Sequence, residues 1–339
     1  MLILSATISC SDKATDKVAD KVADKVADKV ADKVVDKVVD KVAVKGPAIA
    51  GDWKADQIAD GVYVIHGPIG LPSVENQGFM NNPAFVLTAE GVVVVDPGGS
   101  VQVGEMLLEQ IKVVTEMPVV AVFDTHVHGD HWFGNQAIKE KYPDVKIYGH
   151  ATMISRIENG FGDEWMSLSM RLTDNLIQGT KIVNATDAID QGDVIEIGGV
   201  EFKIYNNVKA HTDSDIMIEL PSKSVMFLGD NCSINRVIRH DHGSVKGNIE
   251  ALDIAIRTGS KMFIPGHGPS SADAAKQYKD YLTIIYDTVQ TGYRDGLSDF
   301  EIKPILVKKL QQWAHWDDFE NILGRQINLA FLEIEAEDF

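Results

Sequence analysis

Between Phe123 and Asn135 the chain reads FDTHVHGDHWFGN, which sets His126, His128 and His131 beside Asp124 and Asp130 within nine positions, in a sequence with only ten histidines. Imidazole nitrogens and carboxylate oxygens so crowded form a mixed donor set. It suits zinc, with iron and manganese as alternatives.

Those donors need an element that aims them. The run PVVAVF, Pro118 to Phe123, is apolar without alternation, as a strand covered on both faces would be. If the backbone stays extended past its end, side chains two apart point the same way, so His126 and His128 converge. Gly129 permits a reversal. Asp130 and His131 then follow at the start of a helix-like stretch, HWFGNQAIKEKY.

The same placement recurs later in the chain. His211 closes NNVKAH, Asp230 closes SVMFLGD and His267 closes KMFIPGH, each an apolar run followed by a turn. The intervening segments alternate between strands and helices: GVYVIHG, the pair PAFVLTAEGVVVVDPGGS with a turn at Glu90-Gly91, the helix VGEMLLEQIKVV, and DVKIYGH. After His267 the chain turns helical to its end. The order implies an α/β body of layered sheets, with functional groups exposed at strand ends.

THVHGDH resembles the H-x-H-x-D-H signature of the metallo-β-lactamase-fold hydrolases, and AHTDSD, FLGD and PGHG resemble that superfamily's later motifs in the same order. The likeness runs from about Gly61 to Gly268 and is specific for fold, not for substrate. It implies an αβ/βα four-layer sandwich with a helical C-terminal extension and the site along one edge of the sheets. It further implies that His126, His128 and His211 hold one metal, that Asp130, His131 and His267 hold a second, and that Asp230 bridges them. Asp96 in VVVVDPGG matches the motif whose aspartate supports the ligands from behind.

Two divalent ions sharing a hydroxide would make a nucleophile at neutral pH, with Asp130 orienting it and passing a proton to the leaving group. The expected activity is therefore a dinuclear zinc hydrolase of an acyl-type bond: a thioester, a lactone or a related ester or amide. The β-lactamases commonly lack a bridging aspartate where Asp230 stands, which makes a β-lactamase the lesser reading. An iron-dependent sulphur (persulfide) dioxygenase of the same fold, with iron on His126, His211 and Asp230, is the alternative from another reaction class. In texture the chain is most similar to periplasmic zinc hydrolases associated with quinoprotein and sulphur-oxidation systems. Trp132, His240 and His242 are candidate pocket residues, and GPIGLPSVENQGFMNN is a candidate wall and flap. Cys232 reads as a small buried hydrophobe.

The whole chain narrows the partners. A net charge of −18 over 339 residues leaves no broad basic face for a phosphate backbone, so a small molecule is expected and a nucleic acid is not. No apolar run approaches the ~20 residues that span a bilayer. The two cysteines, Cys10 and Cys232, are too few for a disulfide framework.

At the N-terminus MLILSATISCS turns from apolar to polar at Cys10, which resembles a bacterial lipoprotein signal with Cys10 as the lipid-accepting residue. From Asp16 to Val42 the chain repeats D-K-V-A, so on a helix the valines spiral about the axis and form no apolar face. The expected organisation is a signal segment at 1–10, a low-complexity tether at 11–46, the catalytic domain at 47–272 and the helical extension at 273–339. Membrane contact would come only through the lipid. An exported, periplasmic or membrane-anchored protein follows if the N-terminal reading holds, and a cytoplasmic one if it fails. Nothing in the sequence sets the oligomeric state.

Overall fold

The computed structural model describes residues 45–206 and 209–338. Cys10 and the D-K-V-A repeat lie outside the described residues.

Apolar runs bounded by turn residues form two mixed sheets. The first holds seven strands in chain order: β1 (Asp56–Ala59), β2 (Val62–Val64), β3 (Ala84–Leu87), β4 (Val92–Val95), β5 (Val119–Phe123), β6 (Lys146–His150) and β7 (Asp187–Ile189). The second comprises β8 (Val194–Ile197), β9 (Val200–Tyr205), β10 (Met217–Leu220), β11 (Val225–Ser233) and β12 (Met262–His267), in the order β12-β11-β10-β9-β8. Pairing is antiparallel from β1 to β4 and parallel from β4 to β7. In the second sheet only β11 and β12 are parallel.

β4 shows why its sequence, VVVV, has no polar alternation. Val93 and Val95 face the second sheet, where they meet the core of Phe123, Phe202, Ile204, Ile218 and Phe227. Val92 and Val94 face outward onto helix α1 (Val101–Val114), through Val103, Leu107 and Ile111. Both sides of the strand are dry, so valine suits every position. Ser100 starts α1 by accepting the Val103 N–H on its hydroxyl at 3.2 Å.

After β5 come the short helices α2 (Gly129–Trp132) and α3 (Asn135–Lys141), then α4 (Ala151–Arg156), a π-helical turn (Ile157–Phe161) and α5 (Gly162–Leu172). On the other side, α6 (Val245–Arg257), α7 (Ala274–Arg294), α8 (Asp299–Lys309) and α9 (Phe319–Glu337) complete the chain. Met226 and Leu228 of β11 share one core with Tyr278, Tyr281, Leu306 and Leu323. The segment from 273 onward is thus the outer helical layer of the second sheet. The architecture is a four-layer α/β/β/α sandwich, and no helix among the described residues is long and apolar enough to cross a membrane.

Candidate metal centre

β4 delivers Asp96 to the sheet edge. Its backbone sits in the left-handed region at φ 51°, a conformation a non-glycine residue keeps only when its surroundings enforce it. Here the enforcement is visible. Asp96 Oδ1 accepts the Thr125 N–H at 2.8 Å, and Oδ2 accepts the Thr125 hydroxyl at 2.7 Å while lying 2.8 Å from His131 Nδ1.

These bonds fix the rings. With its hydroxyl proton given to Asp96, Thr125 accepts from His126 Nδ1 at 3.1 Å. His131 Nδ1 donates to Asp96. On β12, His267 Nδ1 donates to the Met80 carbonyl at 2.8 Å. Each bond engages Nδ1 and turns Nε2 toward the centre, the orientation a metal ligand needs.

Seven side chains from four stretches of the chain come together. His126, His128, His211 and Asp230 form one group and Asp130, His131 and His267 a second, with the donor atoms of each group within 4.8 Å of one another. Asp230 faces both. Its Oδ2 lies 3.5 Å from His211 Nε2 and 3.2 Å from His267 Nε2, and its Oδ1 lies 3.2 Å from His131 Nε2. Asp130 Oδ2 is 3.4 Å from Nε2 of both His131 and His267. Gly266 is required beside this carboxylate, because a Cβ there would collide with Asp230 Oδ1.

The donors fit a divalent cation. Nε2 of His126 and His131 and Oδ1 of Asp230 are buried without a hydrogen-bond partner, while His211 Nε2 lies 3.0 Å from His128 Nδ1. The His131 Nε2 to Asp230 Oδ1 approach, though short, lacks hydrogen-bond geometry. Buried polar atoms are rarely left so, and imidazole and carboxylate are ligands for zinc, iron or manganese.

The electrostatics divide the two groups. Burial, with neighbouring imidazoles, holds His126 and His128 well below the ordinary histidine pKa, and burial does the same to His211. Burial also opposes charge on His131 and His267, but there the carboxylates win. Asp130, Asp230 and Asp96 hold His131 well above the ordinary value, and Asp230 and Asp130 raise His267. For Asp130 and Asp230 burial is likewise outweighed, by His131 and His267, so both carboxyls stay well below the usual range.

His128 is the half-buried member and marks the mouth. Trp165 of α5 lies 4.7 Å from its ring centroid, His242 5.9 Å and Phe161 6.2 Å. Gly160, at φ 100°, bends the π-helical turn just before Phe161. The Arg156 guanidinium lies over the Phe161 ring, 4.4 Å from its centroid, and 2.6 Å from Asp213. Trp165 and Phe161 had no motif to announce them.

Three expectations are corrected. Trp132 does not line the pocket: it is fully buried, donates its indole N–H to the Val127 carbonyl at 3.0 Å and packs with Phe133, Met153 and Ile157. His240 is also buried, behind His211, held by Asn248 Oδ1 at 2.8 Å. The last four residues of the expected flap, Phe79 to Asn82, form an internal strap. Asn82 donates its side-chain amide to the carbonyls of Pro265 and Gly268, at 2.9 and 2.7 Å, clamping the turn that carries His267. Cys232 is buried, as a small hydrophobe should be.

A family model described as the Metallo-beta-lactamase superfamily matches residues 77–267, more than half of the chain. The metallo-beta-lactamase IND-1 of Chryseobacterium indologenes is 26% identical over 199 residues, covering 55% of this chain and 71% of that protein. A hydroxyacylglutathione hydrolase of Synechococcus sp. is 26% identical over 174 residues, which is 51% of this chain and 55% of that protein. Among solved structures, a metallo-beta-lactamase from Pontibacter korlensis superposes with a TM-score of 0.55 at 18% identity, covering 68% of this chain and 99% of its own. The sec-alkylsulfatase Pisa1 from Pseudomonas sp. does so with a TM-score of 0.65 at 16% identity, over 83% of this chain but only 50% of the other. At such identities the superpositions speak for the fold.

Proposed function

The chain belongs to the metallo-beta-lactamase superfamily, whose members are hydrolases, and on that footing we propose that it is a dinuclear zinc hydrolase cleaving an acyl-type bond, with thioesters and lactones as the leading substrates. The observation that carries the reading is the position of Asp230, whose carboxylate faces His211 of one group and His131 and His267 of the other. One group alone would make a single site. A carboxylate between two groups suits two cations, because it offsets their mutual repulsion.

We assign His126, His128 and His211 to the first ion, Asp130, His131 and His267 to the second, and Asp230 to both. Two such ions would supply an ionised water at neutral pH and polarise the substrate's carbonyl. The protein's own part is positional. Asp96, Thr125 and the Met80 carbonyl engage Nδ1 of three imidazoles and so turn Nε2 of each toward the centre. Asp130, kept ionised by His131 and His267 despite its burial, is the group placed to take a proton and return it to the leaving group.

Among the described residues Cys232 is not set up as a competing nucleophile. Burial holds the Cys232 thiol well above its ordinary pKa, and its sulfur is directed at the Ala274 carbonyl. The thioester preference draws support from the hydroxyacylglutathione hydrolases among the relatives. An iron dioxygenase on His126, His211 and Asp230 is disfavoured by the complete second group, which it leaves without a purpose.

The test is to load the purified protein with zinc, iron or manganese, measure metal per chain and assay thioesters, lactones, phosphodiesters, sulphate esters and a chromogenic cephalosporin. About two zincs and thioester or lactone turnover are expected. One iron per chain, with oxygen consumption and no hydrolysis, would overturn the proposal.

A further inference from the structure

Arg236 is the only lysine or arginine among the buried residues described, with 6% of its surface exposed. Among the described residues no carboxylate reaches ion-pairing distance of it. Its Nη1 meets only the Met80 sulfur, at 4.0 Å, and its Nε is buried without any hydrogen-bond partner. Thioether sulfur is a weak acceptor and cannot balance a charge. A buried cation in that condition is costly unless something else pairs with it.

Two more unsatisfied polar groups lie in the same region. Tyr278 Oη and Trp316 Nε1 are buried and lack partners, and their rings stack 6.2 Å apart at 17°. Asp317, next to Trp316, forms a parallel backbone bridge with Arg236, with its carboxylate beyond ion-pairing distance of the guanidinium. Burial holds the Tyr278 hydroxyl well above the ordinary phenol pKa, and the Arg236 charge acts against that. Guanidinium and indole can only donate. A water could accept from two of these groups and would leave the charge uncompensated.

This place adjoins the metal centre. Met80, whose sulfur touches Arg236, gives its carbonyl to His267 Nδ1, and the Ile234 N–H donates to the His267 carbonyl at 3.0 Å. Cations on His131 and His267 would add to the positive field there. Tyr278 and Trp316, by contrast, belong to the helical layer beyond the family match, which ends at residue 267.

We propose that Arg236, with Tyr278 and Trp316, binds a compact monoanion, a halide or a carboxylate, between the metal centre and the C-terminal helical layer. The guanidinium donates through Nε, the phenol and indole complete the shell, and the anion balances the charge of Arg236. The carboxylate source would be the substrate itself, the halide source the medium.

Crystals of the full-length protein grown in sodium bromide, with diffraction recorded at the bromine edge, test the site without any turnover, so the result stands apart from the hydrolase reading. An anomalous peak is expected within hydrogen-bonding distance of Arg236 Nε. It should vanish in Arg236→Met and weaken in Tyr278→Phe, which keeps the ring, while bromide peaks on the surface persist. If Arg236→Met fails to fold, Arg236→Lys keeps the charge but loses the planar donor and should also weaken the peak. No peak at Arg236 in wild-type crystals overturns the proposal.

Kinetics then separates the sources, using two thioesters that differ only in a carboxylate or its carboxamide. Chloride at fixed ionic strength inhibits the carboxylate thioester competitively if the substrate fills the site. If the anion is a resident halide, chloride leaves the ratio of the two kcat/KM values unchanged.

Discussion

Asp96 Oδ2 stands 2.8 Å from His131 Nδ1, and the same carboxylate accepts both the amide and the hydroxyl of Thr125, which in turn engages His126. One side chain therefore orients a ligand from each half of the centre. Asp96→Ala should lower zinc affinity or turnover by about 10–100-fold, the usual effect of losing a group that orients a ligand. Thr125→Ala should cost less, because Asp96 still holds His131. Competition with a chromogenic chelator reads both, and an unchanged affinity in Asp96→Ala would remove Asp96 from this role.

Emptying one group should spare the other. His267→Ala and Asp130→Ala leave His126, His128 and His211 intact, so each variant should keep about one zinc and lose most activity. Mass spectrometry of the native protein counts the ions. Two zincs at wild-type affinity in either variant would show that the ligands are wrongly divided.

The bridging position has its own signature. Asp230→Ala removes the carboxylate that faces both groups, so metal affinity and turnover should fall together. In Asp230→Cys a thiolate could hold one metal yet not span two. Unchanged activity in both variants would eliminate a bridging role.

Acid should empty the two groups in a fixed order. Protons compete with metal for imidazole. His131 and His267 are held above the ordinary histidine value of ~6.5, so their affinity should already be falling with pH near neutrality. His126, His128 and His211 are held well below it and should stay competent to lower pH. Dialysis at stepped pH, with zinc counted at each step, should find the ion on the Asp130 group leaving first; the reverse order would contradict the assignment of charges.

Two tryptophans should answer differently. Trp132→Ala empties a fully buried volume and should destabilise the fold by about 3–5 kcal/mol. Trp165→Ala, at the mouth beside His128, should leave denaturant midpoints nearly unchanged while raising KM. Equal destabilisation by both would mean that Trp165 is packing and not a wall.

For the N-terminus, we propose that Cys10 is lipidated and that the D-K-V-A repeat is a spacer between bilayer and enzyme. Deleting residues 1–44 should then release a protein of unaltered turnover, since every proposed ligand lies beyond them. Cys10→Ala should move the full-length chain from the membrane to the soluble fraction. Full-length protein that is soluble, unlabelled by palmitate and intact at Met1 would end the lipoprotein reading.

Much of the centre could be read from the sequence because its seven proposed ligands are metal-binding residue types set near strands, although His211 lies in the loop six residues beyond β9 and Asp230 sits inside β11, not at its end. His126 and His128 come together across a bend at His126 and Val127, where the sequence pattern predicts extended chain. The misreadings have geometric causes. Trp132 follows His131 directly, but neighbours on a helix point about 100° apart, so one faces the metals and the other the core. The role of Met80 belongs to its backbone carbonyl, which no side-chain pattern reveals. Phe161 and Trp165 reach His128 from more than thirty positions away, through a π-helical turn whose bend depends on Gly160. Asn82 meets its partners across more than 180 residues.

The division of ligands between two sheets also bears on how the protein is born. His126, His128, Asp130 and His131 leave the ribosome with the first sheet, and His211, Asp230 and His267 follow with the second. Since the chain is made from its N-terminal end, the nascent chain displays four of the proposed ligands while three are still unmade. It is a chelator before it is an enzyme. The ion captured then is set by local supply as much as by the finished geometry, so cells grown with scarce zinc and abundant iron should yield protein carrying iron, which a chelator should strip and added zinc replace.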